Sequence, residues 1–402
     1  MIKSTLWVAV LFGFSIACLA AFQQFKFPPL LPEMIALFGY SKTMAGSYMS
    51  IYALIGLIFS PILGRVLDRY GAPRALVAAA GLLMAGNFLC LFFAENAWVF
   101  LIGRGFEGMG FAVFAIAGPV IANRNASTHH LPIAIALTAI WIPVGQILAI
   151  GLVPVSGSGF GWQISWIVAL VLTAGAAGWA YHLSETSPAS LNMTNNMQAT
   201  SAPPTKVEMR ALVLGAGLFT LWSTQYFAYM TWLPHFLIEG MGLDRTSANL
   251  AYAVPVVMLI IVGMAISFVI RGGAPIGPLL AGSLVIQALV WATMDLIEGP
   301  VLGLLSLVAY GIGIGITPVC LFGIPSTVLG ASRAGAKAFA TIMTGRNLGV
   351  LIGPILLPQL LLLFVGSWSK ASAVFAAITA LAAAGAVLLT LWLLRMGRSR
   401  PS

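Results

Sequence analysis

Four ionisable side chains, Lys26, Arg104, Glu107 and Arg346, stand inside stretches otherwise built from apolar residues. Arg104 and Glu107 are three apart, so on a helix they share a face and can neutralise each other. That geometry suits a salt bridge joining one helix to a neighbour. It equally suits proton coupling, because a desolvated carboxylate beside a mobile cation can bind and release a proton. Lys26 lies toward the end of its stretch, where it can snorkel to an interface or face a ligand. Arg346 sits well inside its stretch, roughly 13 Å past Lys337 at 1.5 Å per helical residue. Three cations against one acid favour an anionic ligand. The planar fork of arginine fits a carboxylate or phosphate, which makes Arg346 the first candidate clamp.

Polar and aromatic residues on the same stretches complete a candidate binding set. They are Gln23 and Gln24, Trp141 and Gln146, Trp222, Gln225, Tyr226 and Tyr229, Tyr310, and Asn347 beside Arg346. Aromatic residues also anchor helices at membrane interfaces, so each has a second, structural reading. Glu33 and His235 each follow a Leu-Pro pair and suit an outer gate or a protonation pair, histidine titrating near neutrality. Two unrelated solvated residues would look the same. His129 and His130 are adjacent without a third ligand, and no metal site or cofactor is expected.

The elements that must hold these residues follow from composition. The chain is 60% hydrophobic and 7% charged, with mean hydropathy +1.00, where a soluble domain carries roughly 25% charged residues. Only helices satisfy their backbone in lipid, and a span takes about 20 residues. The fold class expected is therefore an all-α polytopic membrane protein. About twelve transmembrane helices are expected near 5–27, 44–63, 75–94, 98–122, 131–153, 162–182, 209–234, 246–270, 275–297, 300–325, 337–364 and 371–394. The first is read as a retained helix rather than a cleaved signal, because no small-residue cleavage site follows it. Cys18, Cys90 and Cys320 all fall within spans, as small hydrophobes rather than a disulfide framework.

Cations orient the chain. With the N-terminus cytoplasmic, thirteen Lys and Arg residues, among them Arg65, Arg69, Arg74, Arg124, Arg210, Arg271 and Arg333, fall on the inner side, against Lys42, Arg245 and Lys370 outside. Both termini are thus expected in the cytoplasm. The net charge of +9 expresses topology, and no nucleic-acid partner is implied. Residues 184–207, rich in Ser, Thr, Asn and Pro, read as a cytoplasmic linker between six-helix bundles at 1–183 and 208–402. The sequons at Asn125 and Asn192 fall on the cytoplasmic side and read as accidental. Gly105 and Gly311, Pro119 and Pro325, and Thr138 and Thr344 are each 206 positions apart, as a duplicated, pseudo-symmetric bundle would give.

Two motifs carry a resemblance. The run from Gly64 to Arg74, GRVLDRYGAPR, resembles the G-x-x-x-D-[RK]-x-G-[RK]-[RK] loop signature of the major facilitator superfamily through Gly64, Asp68, Arg69 and Gly71. It departs at Ala72 and Pro73, and Arg74 stands as the late basic residue. The run from Arg104 to Ala112, RGFEGMGFA, resembles that family's R-x-x-Q-G-x-G-x-A signature with glutamate for glutamine. The resemblance implies two helical halves that alternate access, with Gly64, Asp68, Arg69, Gly71 and Arg74 at a cytoplasmic gate. Helix five lacks the family's antiporter pattern, reading WIPVGQ from Trp141. Uptake of a small organic anion, a carboxylate by proton symport, is therefore the expectation, in a bacterial inner membrane. Glu107, or else Glu33 or His235, would carry the proton. The alternatives are proton-coupled export of drugs or amphipathic metabolites, or a non-transporting receptor on the same fold. No Walker loop, nucleophile with its base, or metal-ligand spacing supports an enzyme.

Overall fold

The computed structural model describes residues 4–70, 72–153, 161–191, 204–297, 299–330, 333 and 336–398, without the side chains of 59–70, 72, 336–337 and 395–398. The chain forms two compact units, residues 1–196 and 197–402. Unit 1 contains α1 (Trp7–Phe25), α2 (Leu31–Phe38), α3 (Lys42–Tyr70), α4 (Ala72–Phe92), α5 (Ala97–Arg124), α6 (Leu131–Ala139), α7 (Trp141–Gly151) and α8 (Gln163–Thr186). Unit 2 contains α9 (Lys206–Glu239), α10 (Arg245–Arg271), α11 (Ile276–Ala292), α12 (Gly299–Leu329), α13 (Ala336–Leu363) and α14 (Trp368–Arg398).

The two units repeat one packing scheme. In unit 1, α5 packs on α1, α3 and α4; α8 packs on α4 and α1; and α7 packs on α1. In unit 2, α12 packs on α9, α10 and α11; α14 packs on α11 and α9; and α13 packs on α9. Taking α6 and α7 as one bent helix, the two lists correspond element by element, which is the pseudo-symmetry of two helix bundles. Phe12, Ile16, Leu83, Phe114 and Ile121 centre the core of unit 1. Leu250, Phe268, Leu305, Leu363 and Leu388 point outward, as expected of a surface solvated by lipid tails.

Helix ends follow local chemistry. Asn96 caps α5 by accepting from the backbone of Trp98 and Val99. Thr205 and Glu208 form a capping box on α9. Arg333 adds a two-pronged ion pair to Glu208 at 2.9 and 3.0 Å. Gly39 ends α2 at φ 64°, a left-handed cap that suits glycine.

One expectation is met in part and two are corrected. First, among the described residues nine helical segments are long and apolar enough to cross a membrane, or ten with α6 and α7 counted as one, rather than a clear twelve. The 17-residue α11 is apolar but short. Second, the expected helix over 131–153 is broken at Ile140, with a 47° bend. Pro143 cannot donate to the carbonyl of Ala139, and its ring crowds that oxygen. Third, the described residues of the Gly64-to-Arg74 run are helical rather than a loop. Helix α3 continues to Tyr70 and α4 starts at Ala72, because a helix leaving the apolar layer does not need apolar residues to continue. The first segment also runs on past its expected end, through a 3-10 turn at Pro28–Leu30 into α2. Most of the expected linker, residues 192–203 with Asn192, lies outside the described residues.

Glycines set the closest approaches. A Cβ on Gly345, Gly349 or Gly353 would fall 2.0, 2.4 or 2.2 Å from the carbonyl oxygens of Ala216, Thr220 or Thr224. α13 therefore lies backbone against backbone along α9, as the four-residue glycine spacing permits. Pro358 cannot donate to the Pro354 carbonyl, and Trp232 on α9 donates its Nε1–H there at 2.9 Å.

Candidate functional site

Each unit buries one polar centre. That of unit 1 begins with the end of α1. Pro28 lacks an N–H, so the Gln24 carbonyl has no donor four residues on, and the helix stops at Phe25. Arg104 on α5 fills the gap. It donates Nη1–H to the Gln23 carbonyl at 3.0 Å, Nη2–H to the Gln24 carbonyl at 3.1 Å and Nε–H to the Tyr48 carbonyl at 3.2 Å. Its remaining donors reach Glu107 Oε2 at 2.5 Å and Met49 Sδ at 3.7 Å. All five guanidinium N–H groups are engaged, and a cation at a helix C-terminus also meets the negative end of its dipole.

Glu107 joins this arginine to Lys26. Its Oε1 lies 2.9 Å from Lys26 Nζ, and its Oε2 accepts from the Tyr52 hydroxyl at 2.7 Å. Lys26 also donates to Gln23 Oε1 at 2.7 Å and Asn87 Oδ1 at 2.5 Å, and Nζ stands 4.9 Å over the Trp166 ring. Asn87 is held in turn by Gln23 Oε1 and the Leu83 carbonyl, and Gln23 Nε2 donates to Thr173 at 3.0 Å. Lys26, Arg104 and Glu107 are all 0% exposed. Lys26 therefore does not snorkel, and both cations of this centre give every polar hydrogen to the protein.

Unit 2 builds its centre at corresponding positions without charge. Gln225 stands 202 positions after Gln23, and Tyr310 stands 206 after Arg104. Gln225 Oε1 accepts from the Tyr310 hydroxyl at 2.9 Å and from Trp291 Nε1–H at 2.8 Å. Gln225 Nε2 donates to Gln287 Oε1 at 2.7 Å, which also accepts from Trp222 Nε1–H at 3.0 Å. Gln287 Nε2 then donates to Thr317 at 2.8 Å. Tyr229 stacks on Tyr310 at 3.6 Å between ring centres, and Tyr226 on Trp222 at 5.0 Å. α9 runs unbroken where α1 stops, so unit 2 has no loose carbonyls there for an arginine to satisfy.

The other expected residues are more dispersed. Arg346 is half-buried on α13, donates to Asn347 Oδ1 at 3.2 Å and faces the Phe227 ring at 5.5 Å. No described acidic side chain bridges to it. Trp141 opens α7 and meets Phe111 at 6.3 Å, and Gln146 is buried one helical turn further on. Glu33 lies in the first turn of α2, while His235 in unit 2 lies 2.8 Å from Glu239 on its own helix. Arg74 is exposed. Gly71 and the side chains of Asp68 and Arg69 lie outside the description, as does the surrounding of Gly64. Among the described residues no group of His, Cys, Asp or Glu is gathered for a metal.

Tyr52, Asn87, Trp166, Gln287, Trp291 and Thr317 belong to these centres and were not singled out by sequence. Asn87 and Gln287 carried a usable signal, as isolated amides in corresponding apolar helices. Tyr52, Trp166 and Trp291 did not, since an aromatic residue in a span usually reads as packing.

The family model described as Major Facilitator Superfamily matches residues 13–354. The Escherichia coli K12 inner membrane transport protein YajR is 27% identical over 211 residues, 52% of this chain and 45% of that one. The class B tetracycline resistance protein of Escherichia coli is 32% identical over 107 residues, 26% of each chain. The aligned stretches thus span less than half of these relatives. A crystal structure of the nucleoside transporter NupG superposes with a TM-score of 0.72 over 96% of this chain and 98% of that one, at 14% identity, a likeness of fold.

Proposed function

Because the chain belongs to the major facilitator superfamily, we propose that it is a secondary transporter that exports amphipathic, aromatic-bearing molecules in exchange for protons, and is not an enzyme. The observation that carries this reading is the contrast between the two centres. Arg104 and Lys26, two of the three cations an anion could use, have every polar hydrogen bound within unit 1. Unit 2 instead offers neutral amides among Trp222, Tyr226, Tyr229, Trp291 and Tyr310. Rings and amides of this kind, buried here against one another, bind flat apolar groups by stacking and orient them with a few hydrogen bonds once a ligand opens the stack. The similarity to tetracycline resistance proteins points the same way.

In this reading the chain crosses a bacterial inner membrane twelve times, with both termini cytoplasmic. The nine long helices are joined by α3, α11 and the bent pair α6 and α7. Units 1–183 and 208–402 move about the 184–207 linker to alternate access, and Gly64, Asp68, Arg69, Gly71 and Arg74 form the cytoplasmic gate.

Arg346 favours a second reading. A half-buried cation at membrane depth, paired with an amide and a ring rather than an acid, can hold the carboxylate of a small organic anion, with Gln225, Tyr226, Tyr310 and Asn347 nearby in the sequence-derived set.

Inverted vesicles containing the purified protein, acidified inside, distinguish the two. Accumulation of tetracycline or ethidium, surviving in Arg346→Ala and lost in Gln225→Ala, supports export. Loss of a preloaded small carboxylate alone, driven outward by the same gradient and abolished in Arg346→Ala, replaces export with anion carriage. No proton-driven flux of either class removes both readings.

A further inference from the structure

The buried centre of unit 1 holds an odd charge. Lys26 and Arg104 contribute two positive charges and Glu107 one negative, so the cluster carries +1 in a region with no exposed side chain among the three. Four other segments of unit 1 bring titratable or polar side chains to it, and Tyr40 packs on Tyr48 at its edge. α3 brings Tyr48 and Tyr52, α4 brings Asn87 and Cys90, α5 brings Arg104 and Glu107, and α8 brings Trp166 and Thr173. α6 and α7 carry no titratable side chain at all.

We propose that Lys26, rather than Glu107, takes up and releases the proton that drives transport; this rests on the proton-coupled reading above. Protonating Glu107 would leave two cations facing each other without a counter-ion and raise the buried charge to +2. Releasing one proton from the Lys26 ammonium to water gives a neutral amine and brings the charge to zero. A buried charge in a membrane helix is costly, so the second exchange is the one the cluster accommodates. The hydrogen bonds fit both states. The ammonium has three acceptors, Gln23 Oε1, Asn87 Oδ1 and Glu107 Oε1. The neutral amine keeps two donors for the two amide oxygens, and Glu107 keeps Arg104 and Tyr52. In the neutral state only Glu107 Oε1 loses a donor, Oε2 keeping Arg104 and Tyr52, whereas an uncharged Glu107 would strand both cations.

Trp166 provides a readout that needs no substrate, because Nζ lies 4.9 Å over its ring and a cation there interacts with the indole face. The full-length protein in detergent is titrated between about pH 6 and pH 10, a window reaching toward lysine ionisation. The Trp166 emission is taken as the difference from Trp166→Phe. One titration step in the native protein, absent in both Lys26→Met and Lys26→Arg and present in Glu107→Gln, is the expected result. No step in the native protein, or a step that persists in the Lys26 variants, overturns the proposal.

Flux separates this inference from the reading beneath it. With tetracycline as the probe, Lys26→Arg is expected to lower proton-driven accumulation at least tenfold relative to tetracycline-for-tetracycline exchange. Driven flux in the native protein with that ratio unchanged in Lys26→Arg sinks the Lys26 assignment and leaves transport standing. No native flux with an intact Lys26-dependent step sinks transport and leaves Lys26 as a buried titrating group.

Discussion

Removing the negative charge from the unit 1 centre should cost far more than removing one of its positive charges. In Glu107→Gln, Lys26 and Arg104 both lose their counter-ion while staying buried. Breaking a buried pair from one side costs about 3–5 kcal/mol. In Lys26→Met the Arg104–Glu107 pair remains neutral, and Gln23 Oε1, Asn87 Oδ1 and Glu107 Oε1 lose a donor, the carboxylate still held at Oε2 by Arg104 and Tyr52. Asn87 Nδ2 still donates to Gln23. The cost is then that of one or two hydrogen bonds, about 1–2 kcal/mol. With an unfolding entropy of about 2.1 cal/mol/K per residue over this length, those costs correspond to falls in Tm of about 4–6 °C and about 1–2 °C. The double variant should be less destabilised than Glu107→Gln alone, since it removes one of the two stranded cations. A thiol-reactive dye measures this directly, because Cys18, Cys90 and Cys320 are free and buried and become reactive only on unfolding. Equal falls for the two single variants, or a double variant that sums them, would refute the charge accounting.

Other consequences can be measured in the same preparation. Gly349→Val places side-chain atoms where a Cβ alone would meet the Thr220 carbonyl at 2.4 Å; it should lower Tm by several degrees, an overpacking cost of about 1–3 kcal/mol or more. An unchanged melt would show that α9 and α13 can part freely. Gln225→Ala leaves the Tyr310 hydroxyl and Trp291 Nε1–H without their acceptor, and vesicle binding assays should show weaker retention of stacked aromatic probes than in Tyr310→Phe, which removes one donor only. Arg333→Ala removes both prongs of the contact to Glu208 at the start of α9. Hydrogen exchange should rise over residues 205–212 and nowhere in unit 1. Asp244 is held below its ordinary 3.8 by the Ser247 hydroxyl and by backbone N–H groups at the start of α10. The capping contribution is therefore present above the ordinary carboxylate range and lost as pH falls through the lowered folded value. In melts taken from pH 5 downward, Asp244→Asn should flatten that acid-side loss.

Much of this molecule is readable from sequence because hydropathy reports solvent and glycine spacing reports helix contact. Gly345, Gly349 and Gly353 mark a helix that a neighbour can approach closely without saying which neighbour, and Arg104 and Glu107 announce their ion pair by standing three apart. Helix ends were less legible. Nothing apolar marks the last turns of α3, so a hydropathy window stops near Leu63 while hydrogen bonding continues to Tyr70. Pro143 is visible, but whether a proline kinks, breaks or is absorbed depends on neighbours, and α12 runs through Pro318 and Pro325 unbroken. The partners of Arg104 were hidden for another reason: most are backbone carbonyls at Gln23, Gln24 and Tyr48, which no side-chain pattern encodes. Lys26 reads equally as an interfacial or a ligand-facing lysine because sequence gives depth along a helix, not the direction in which a side chain folds back.

The early stop of α1 has a consequence for how the protein is made. The first hydrophobic segment leaves the ribosome with open carbonyls at its end and an ammonium beside them, and the groups that complete both sit on α5, 81 residues later in the chain. Until α5 arrives, that segment is a poor tenant of the bilayer, too polar at one end to settle by itself. Its stable insertion is thus a joint event with α5, and an isolated α1 should be retained at the translocon or held by an insertion chaperone rather than partition freely into lipid. The corresponding α9 runs unbroken at that point and leaves no carbonyl open there, so what it awaits from later helices is partners for neutral groups, Trp222 and Gln225.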